Sequence, residues 1–213
     1  MATVPTAAID AQVRLNIEAS IAVKQAMLAD ADLLAGISEA AAMIAAALRA
    51  GHRVMLMGNG GSAADAQHIA AEFVGRYRLQ RRALPVMALT VNTSAVTAIG
   101  NDYSFDDIFA RQVEAFARPG DILVGITTSG NSKNILHAFR MAAPLKVNTI
   151  ALTGRSGGRV KPVANLCLRV PSEDTPRIQE AHILMGHAIA EIVEADLFRK
   201  VEEGASENAH VAR

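Results

Sequence analysis

Five short, nearly continuous apolar runs constrain the fold of this chain more than any other feature. They occupy residues 54–57, 85–89, 122–126, 149–152 and 166–170. Segments with helical periodicity lie between them, at residues 63–74, 105–116 and 132–142. Strands that are buried on both faces have this apolar pattern in parallel sheets, because helices cover both sides of the sheet. The sequence therefore predicts an α/β sandwich with a five-stranded parallel sheet.

Alanine-rich sequence with helical periodicity precedes the first apolar run. Residues 6–50 predict two helices, with a break between residues 30 and 38 and an end at Gly51. The first helix carries apolar residues at helical spacing, but no earlier element is present to bury them. These residues are Ile9, Val13, Ile17, Ile21, Val23, Met27 and Leu28. We expect them to pack on the rest of the domain or on another subunit.

The rest of the chain predicts one domain over residues 51–200, with residues 1–50 as N-terminal helices. A last long helix is expected over residues 176–200, since proline is tolerated in the first turn of a helix. The polar, alanine-rich tail at residues 201–213 is expected to be frayed.

Charge and targeting signals indicate a cytoplasmic protein with a small ligand. Lys plus Arg and Asp plus Glu number 21 each, so no net field attracts nucleic acid or an acidic membrane. The N-terminus lacks the pattern of a secretory signal, and no apolar run reaches the ~18 residues of a membrane span. The single cysteine, Cys167, can form no internal disulfide and is expected to be a buried strand residue.

A hydroxyl-rich turn follows the third apolar run. Residues 127–132 read Thr-Thr-Ser-Gly-Asn-Ser and lead into a predicted helix, where free N–H groups and the helix dipole favour an anion. The sequence predicts a site for a phosphate monoester. The alternative is that Ser132 is an ordinary N-cap within a common turn, which leaves three consecutive hydroxyls without a role.

Two nucleotide-binding patterns are incomplete. Gly125 and Gly130 have the spacing of a P-loop, but Asn131 stands where that motif needs lysine. Residues 58–63 satisfy a loose dinucleotide pattern, yet the acidic residue expected about 20 positions later is missing from residues 88–92. We therefore expect no nucleotide cofactor.

His68 and Glu72 follow the glycine-rich turn at residues 58–62. In a helix their i, i+4 spacing places an imidazole and a carboxylate on one face, which suits either half of a metal site or a solvated pair. A metal site needs further ligands, and the start of the last helix offers four polar groups at a spacing that does not choose among them. They are Gln179, Glu180, His182 and His187.

An ordered set of motifs runs along nearly the whole chain. It comprises residues 58–62, Asp65, His68, Glu72, residues 75–77, 100–102, 128–132, 152–154 and 177–180, and His187. This set resembles the phosphoheptose isomerases, also called sedoheptulose-7-phosphate isomerases, of the sugar isomerase (SIS) domain family. The resemblance implies a flavodoxin-like three-layer sandwich. It also implies conversion of D-sedoheptulose 7-phosphate to D-glycero-D-manno-heptose 7-phosphate through an enediol, for bacterial lipopolysaccharide heptose biosynthesis.

The resemblance also implies roles for individual residues. It selects His68, Glu72, Gln179 and His187 as ligands of one zinc ion per subunit, with Glu72 as the catalytic base and His187 as the acid. Implied sugar-phosphate contacts are Asn59, Gly60, Gly61, Glu72, Asn101, Asp102, Thr127, Thr128, Ser129, Ser132 and Gln179. Thr127 stands where some members carry serine, and the small Ala63 and Ala64 replace larger residues found in other members.

The same resemblance implies a homotetramer with active sites at subunit interfaces. A rival from another class is a non-catalytic SIS-domain adaptor similar to the protein that binds the bacterial replication initiator. That adaptor is not expected to keep both Glu72 and His187, so their presence favours the isomerase. A sugar-phosphate-sensing regulator would add a DNA-binding domain, and residues 6–50 have no compact basic patch to support one.

Overall fold

A computed structural model of the chain describes residues 6–199, and the tail predicted at 201–213 lies outside this range. Its centre is a parallel sheet of five strands in the order β2-β1-β3-β4-β5. The strands are β1 (Val54–Gly58), β2 (Val86–Ala88), β3 (Ile122–Thr127), β4 (Asn148–Thr153) and β5 (Leu166–Arg169). The five predicted strands and the flavodoxin-like order are confirmed.

Seven helices surround the sheet within the described residues. They are α1 (Thr6–Ala29), α2 (Ala31–Arg49), α3 (Gly61–Val74), α4 (Thr93–Asp102), α5 (Ala110–Phe116), α6 (Lys133–Ala142) and α7 (Thr175–Phe198). The predicted break between the first two helices falls at Asp30, whose carboxylate accepts a hydrogen bond from the Leu33 N–H and caps α2.

Two segments differ from the sequence prediction. The helix α4 was not predicted, because each of its residues is at least partly exposed and it therefore shows no strong apolar stripe. The segment at residues 105–116, predicted as one helix, is a 3₁₀ turn at Phe105–Asp107 followed by the short α5. Cys167 lies in β5 as predicted, but it is only partly buried because β5 is an edge strand.

Alternate residues of the central strand β1 face opposite layers. Val54 and Leu56 join the apolar cluster formed with α2, α3 and α7, whereas Met55 and Met57 join the cluster formed with α5 and α6. All five residues of β1 are buried, which explains the continuous apolar run in the sequence. The predicted three-layer sandwich is confirmed.

The helix α2 is long and apolar enough to span a membrane by length and composition alone. In the fold, however, 44% of this stretch is buried, with Ile37, Ile44 and Leu48 in the core cluster shared with α7. Its hydropathy is therefore explained by packing within the domain.

The helix α1 is only partly covered by the domain. Met27 is buried in the core cluster and Val23 packs against it, near the C-terminal end of the helix. Further towards the N-terminus, four residues at i, i+4 spacing are 49–56% exposed. They are Ile9, Val13, Ile17 and Ile21. An exposed apolar stripe of this size is typical of a protein contact surface.

The buried histidine His182 of α7 is held in its neutral form. Its Nε2 lies 3.2 Å from the carbonyl oxygen of Thr153, so Nε2 carries the hydrogen, and Nδ1 has no hydrogen-bond partner within residues 6–199. Burial lowers the pKa of His182 to about 4, although the hydrogen bond to Thr153 opposes the shift. A second proton would place a charge and an unpaired N–H in the core.

We expect His182 to reduce the stability of the fold in acid. Because its folded pKa of about 4 lies below the ordinary 6.5, the unfolded chain binds the extra proton first as the pH falls through this window. The His182 contribution to the free energy of unfolding then decreases by about 3 kcal/mol. Urea unfolding of the wild type and His182→Gln at fixed protein concentration measures this, since glutamine can still donate to Thr153 but does not titrate. Equal pH dependence in both proteins contradicts the prediction.

Candidate active site

The carboxyl ends of β1 and β3 lie side by side where the strand order reverses. Ligands of open parallel sheets bind at this position, because the loops on either side diverge and leave a crevice. The loop after β1 is glycine-rich and leads into α3, whereas the loop after β3 is hydroxyl-rich and leads into α6. Both loops that sequence analysis singled out therefore flank one crevice.

The helix α3 carries His68 and Glu72 on one face, as their spacing predicts. His68 Nε2 lies 3.1 Å from Glu72 Oε1, and the side chains are 51% and 23% exposed, respectively. The pair is accessible from solvent and has no lysine or arginine beside it in α3. It is therefore available to a ligand.

The helix α7 runs parallel to α3 and adds His187 to this pair. His187 Nε2 lies 3.3 Å from His68 Nε2, and the two rings meet edge to face with centroids 5.0 Å apart. One ligand atom from each of His68, Glu72 and His187 lies within 4.8 Å of the others. We call these three residues the His–Glu–His cluster.

The close approach of α3 and α7 depends on two glycines. A Cβ atom at Gly186 would come within 2.5 Å of the Ile69 side chain, and one at Gly61 would come within 2.6 Å of Gln179 Nε2. The first contact lies beside the His–Glu–His cluster and the second lies at the start of α3. A larger residue at position 186 would force Ile69 or the helices to shift, whereas at position 61 the flexible end of Gln179 could turn aside.

The structure distinguishes the four polar groups at the start of α7. Glu180 is turned towards α1, where it accepts a hydrogen bond from Ser20 and lies 3.8 Å from Lys24. His182 points into the core. Gln179 lies against Gly61, about 12 Å along the helix from His187 by the ordinary rise per residue. His187 joins the cluster, and zinc ligation by Gln179 stays a prediction.

The donors of the His–Glu–His cluster fit a zinc ion. Two ligand atoms bonded to one tetrahedral zinc lie about 3.4 Å apart, close to the 3.1 and 3.3 Å separations found around His68 Nε2. A neutral imidazole has a single N–H, so His68 Nε2 cannot donate to both Glu72 and His187. A cation held between the three groups would satisfy all of them.

Asp65 of α3 lies one turn before His68, and the sequence predicted no function for it. Asp65 Oδ2 is buried and has no hydrogen-bond partner among residues 6–199. Burial raises the pKa of the Asp65 carboxyl, and the charge of His68 opposes this effect. The spacing of Asp65, three residues before the candidate metal ligand His68, is the sequence signal that would have indicated a role for Asp65 beside the metal site.

The hydroxyl-rich loop is held open towards the crevice. Gly130 has φ +68°, and a Cβ atom there would come within 2.2 Å of the Gly157 carbonyl oxygen, so the loop packs tightly on the segment after β4. Ser132 is the N-cap residue of α6 by position, but its hydroxyl lies 3.0 Å from that of Thr127 and makes no capping hydrogen bond within the described chain. The N-terminal turn of α6 therefore keeps its capacity for an anion.

A reciprocal pair of amide hydrogen bonds joins the two loops. Asn59 Nδ2 donates to Asn134 Oδ1 at 3.0 Å, and Asn134 Nδ2 donates to Asn59 Oδ1 at 2.8 Å. Asn134 is buried in the first turn of α6. Sequence reasoning missed this residue, because a single asparagine after a turn carries no signal of its partner 75 positions away.

The other predicted substrate contacts are only partly brought together. Gly60 and Gly61 lie at the start of α3, beside Asn59. Asn101 and Asp102 are exposed at the C-terminal end of α4, where Asn101 donates to Asp102 at 2.8 Å. No hydrogen bond joins either of them to the two loops within residues 6–199.

The chain is similar in sequence to proteins of one family. A sequence model of the SIS domain matches residues 19–154. A phosphoheptose isomerase from Clostridium acetobutylicum is 53% identical over 196 residues, which covers 92% of this chain and 98% of that relative. A phosphoheptose isomerase from Geobacter is 52% identical over 192 residues, covering 90% and 97% of the two chains.

Solved structures give the same result. The structure of a phosphoheptose isomerase from Neisseria gonorrhoeae superimposes with a TM-score of 0.83 at 42% identity, covering 88% of this chain and 99% of that one. A phosphoheptose isomerase from Francisella tularensis gives a TM-score of 0.83 at 40% identity, with coverage of 87% and 97%. The similarity extends over nearly the full length of both neighbours.

We expect the His–Glu–His cluster to bind zinc and His187 to contribute directly. Removing one nitrogen ligand in His187→Ala should weaken zinc binding by more than about 10-fold. The matched control is His137→Ala, which removes a histidine of α6 that pairs with Asp107 outside the cluster. Calorimetric titration of the metal-stripped proteins with zinc measures both affinities, and equal weakening in the two variants would contradict the assignment.

Proposed function

Because the chain belongs to the phosphoheptose isomerase family of SIS-domain proteins, we propose that it converts D-sedoheptulose 7-phosphate to D-glycero-D-manno-heptose 7-phosphate. This is an aldose–ketose isomerisation that serves bacterial heptose biosynthesis. The single observation that carries the proposal is the His–Glu–His cluster, which combines a carboxylate and two imidazoles in one solvent-accessible place between α3 and α7.

The two ends of the crevice suit the two ends of the substrate. The hydroxyls of Thr127, Thr128, Ser129 and Ser132, together with the first turn of α6, would hold the phosphate, as such turns do in other proteins. Asn59, Gly60, Gly61 and Gln179 would contact the sugar from the start of α3, and Asn101 and Asp102 from the end of α4. His68 lies about 10 Å along α3 from Gly61 by helical rise, so the reacting carbons would lie away from the phosphate.

The reaction exchanges the oxidation states of C1 and C2 of the sugar. It needs a base and an acid close to these two carbons. Glu72 would remove a proton from C1 of the ketose while His187 protonates the oxygen on C2, which forms the enediol. The proton held by Glu72 would then return to C2, and the oxygen on C1 would give its proton to His187 as the aldehyde forms, which restores both groups. Proximity in the cluster supports this division, since Glu72 and His187 lie together but belong to different helices.

The protein would hold zinc with His68, Glu72 and His187, and Gln179 would become the fourth ligand by turning its side chain from Gly61 towards the cluster. When bound, zinc supplies Lewis acidity that stabilises negative charge on the substrate oxygens. Ligation and proton transfer make competing demands on Glu72 and His187, because a lone pair bound to a metal cannot accept a proton. His68, which has no proton-transfer role in this scheme, is free to act as a ligand alone.

The relatives favour the isomerase over the adaptor. Both residues that separate the two classes, Glu72 and His187, are present and lie in the same cluster. Two relatives that match over at least 90% of this chain are named phosphoheptose isomerases. A catalytic role therefore explains the arrangement better than a binding role.

We expect Glu72→Gln and His187→Gln to reduce kcat by at least about 100-fold, since each removes a group that transfers a proton. The phosphate loop is untouched, so binding of sedoheptulose 7-phosphate should persist. Turnover, substrate affinity and zinc content are measured in the same preparations, and Glu191→Gln, an exposed residue one turn beyond His187, is the control. Near-normal turnover in both variants would refute the mechanism and leave the phosphate site standing.

We also propose that the chain forms a homotetramer in the cytoplasm, with active sites at the subunit interfaces. The exposed apolar stripe on α1 supports this, because four apolar residues at i, i+4 spacing form one uncovered surface along the helix. The same helix reaches α7 through the Ser20–Glu180 hydrogen bond, so a subunit packed on α1 would lie near the crevice.

We expect charge on the α1 stripe to dissociate the assembly. The double variant Val13→Glu/Ile17→Glu should shift the protein to a smaller species in light scattering coupled to size exclusion, because buried carboxylates in an apolar interface are costly. Ala19→Glu lies about 200° around the helix from Ile17 and is the control. A wild-type mass for the double variant would show that the stripe is not an interface.

A further inference from the structure

A buried ion pair lies beyond the His–Glu–His cluster. Arg81 Nε donates to Glu194 Oε1 at 2.9 Å, and the two side chains are 2% and 3% exposed. It is the only ion pair within residues 6–199 in which both side chains are this deeply buried. Burying two charges costs several kcal/mol per ion before their attraction is counted, so such a pair calls for a reason beyond stability.

Arg81 closes the C-terminal end of the helix that carries the predicted base. Its Nη2 donates to the carbonyl oxygen of Glu72 at 2.8 Å, and its Nη1 donates to that of Phe73 at 2.7 Å. The last carbonyls of a helix have no partner inside the helix, and a cation there also favours the helix dipole. The backbone of Glu72 is therefore held directly by Arg81.

Glu194 fixes the segment that follows α3. Its two oxygens accept hydrogen bonds from the N–H groups of Tyr77, Arg78 and Leu79, at distances between 2.7 and 3.1 Å. Burial raises the pKa of Glu194, but these donors and Arg81 outweigh it and lower the pKa below its ordinary value. The carboxylate is therefore charged and fully bonded at neutral pH.

The same carboxylate belongs to the helix that carries the predicted acid. Glu194 lies seven residues after His187, which places both on one face of α7, two turns apart. Tyr77, which Glu194 holds by its N–H, has its ring centroid 5.7 Å from that of His187. Arg81 thus connects the pair to Glu72. Glu194 connects it to His187, through α7 and through Tyr77.

We propose that the Arg81–Glu194 pair is a positioning device that sets the separation and orientation of Glu72 and His187 for proton transfer. This inference rests on the proposed function. Neither residue touches the substrate in this scheme, so both act through the groups they hold. A displacement of about 1 Å between reacting groups can cost 100-fold in rate, so loosening the pair should slow turnover even in a protein that stays folded.

Two variants test the positioning role without leaving a buried charge unpaired. Arg81→Lys keeps the charge, but a single ammonium cannot serve Glu194 and both carbonyls in the geometry of a guanidinium. The double variant Arg81→Met/Glu194→Gln removes both charges together, while the glutamine oxygen still accepts from the loop. The matched control is Arg49→Met/Asp196→Asn, an exposed ion pair between α2 and the same helix α7, away from Tyr77 and the loop.

We expect kcat on sedoheptulose 7-phosphate to fall about 10-fold in Arg81→Lys and about 10- to 100-fold in the double variant. KM should stay within about 3-fold because the phosphate loop is untouched, and the pH profile of kcat should shift, since it reports the acid and the base. The control pair should stay within about 2-fold of wild type in all three measurements.

Circular dichroism and thermal unfolding establish that each variant is folded at the assay temperature. A folded double variant with wild-type kcat and pH profile overturns the positioning role. If the double variant does not fold, Arg81→Lys decides, and wild-type kcat in that protein overturns the proposal equally. A wild-type protein without isomerase activity refutes the proposed function itself, whereas an active wild type with unaffected variants refutes only the positioning role.

Discussion

The close packing of α3 on α7 is the contact on which the candidate active site depends. His68 and Glu72 lie on one helix and His187 lies on the other, so their distances are set by the separation of the helix axes. Gly186 allows that separation beside the cluster by leaving room for Ile69. Because the two helices run parallel, residues that follow each other along α3 meet residues in the same order along α7.

Different interactions hold the two ends of the crevice. At the carboxyl ends of β1 and β3, the neutral amides of Asn59 and Asn134 join the loop after β1 to the first turn of α6. At the far end, the charged pair Arg81–Glu194 fastens the end of α3 to α7. Arg81 there binds both the last carbonyls of α3 and the Glu194 carboxylate.

Much of the fold could be predicted because its signals are local. The buried strands appear as continuous apolar runs, and the break at Asp30 appears as a capping residue between two helical patterns. The helix α4 was missed because its core-facing side is short and only partly buried, with Val96 and Ile99 packed against the apolar cluster. The division at residues 105–116 was missed for a related reason, because a 3₁₀ turn and a short helix share much of the same pattern.

The sequence by itself determined the elements and the chemistry they carry: the parallel sheet, the hydroxyl-rich turn after β3, and the i, i+4 pair of His68 and Glu72. These follow from spacing within one element, which backbone geometry converts directly into a shared face. Only the tertiary structure decided which group of α7 meets that pair, and that Arg81 and Glu194 lie together. His68 and His187 are 119 positions apart, and a contact at that distance depends on how the helices pack over the sheet rather than on any local period.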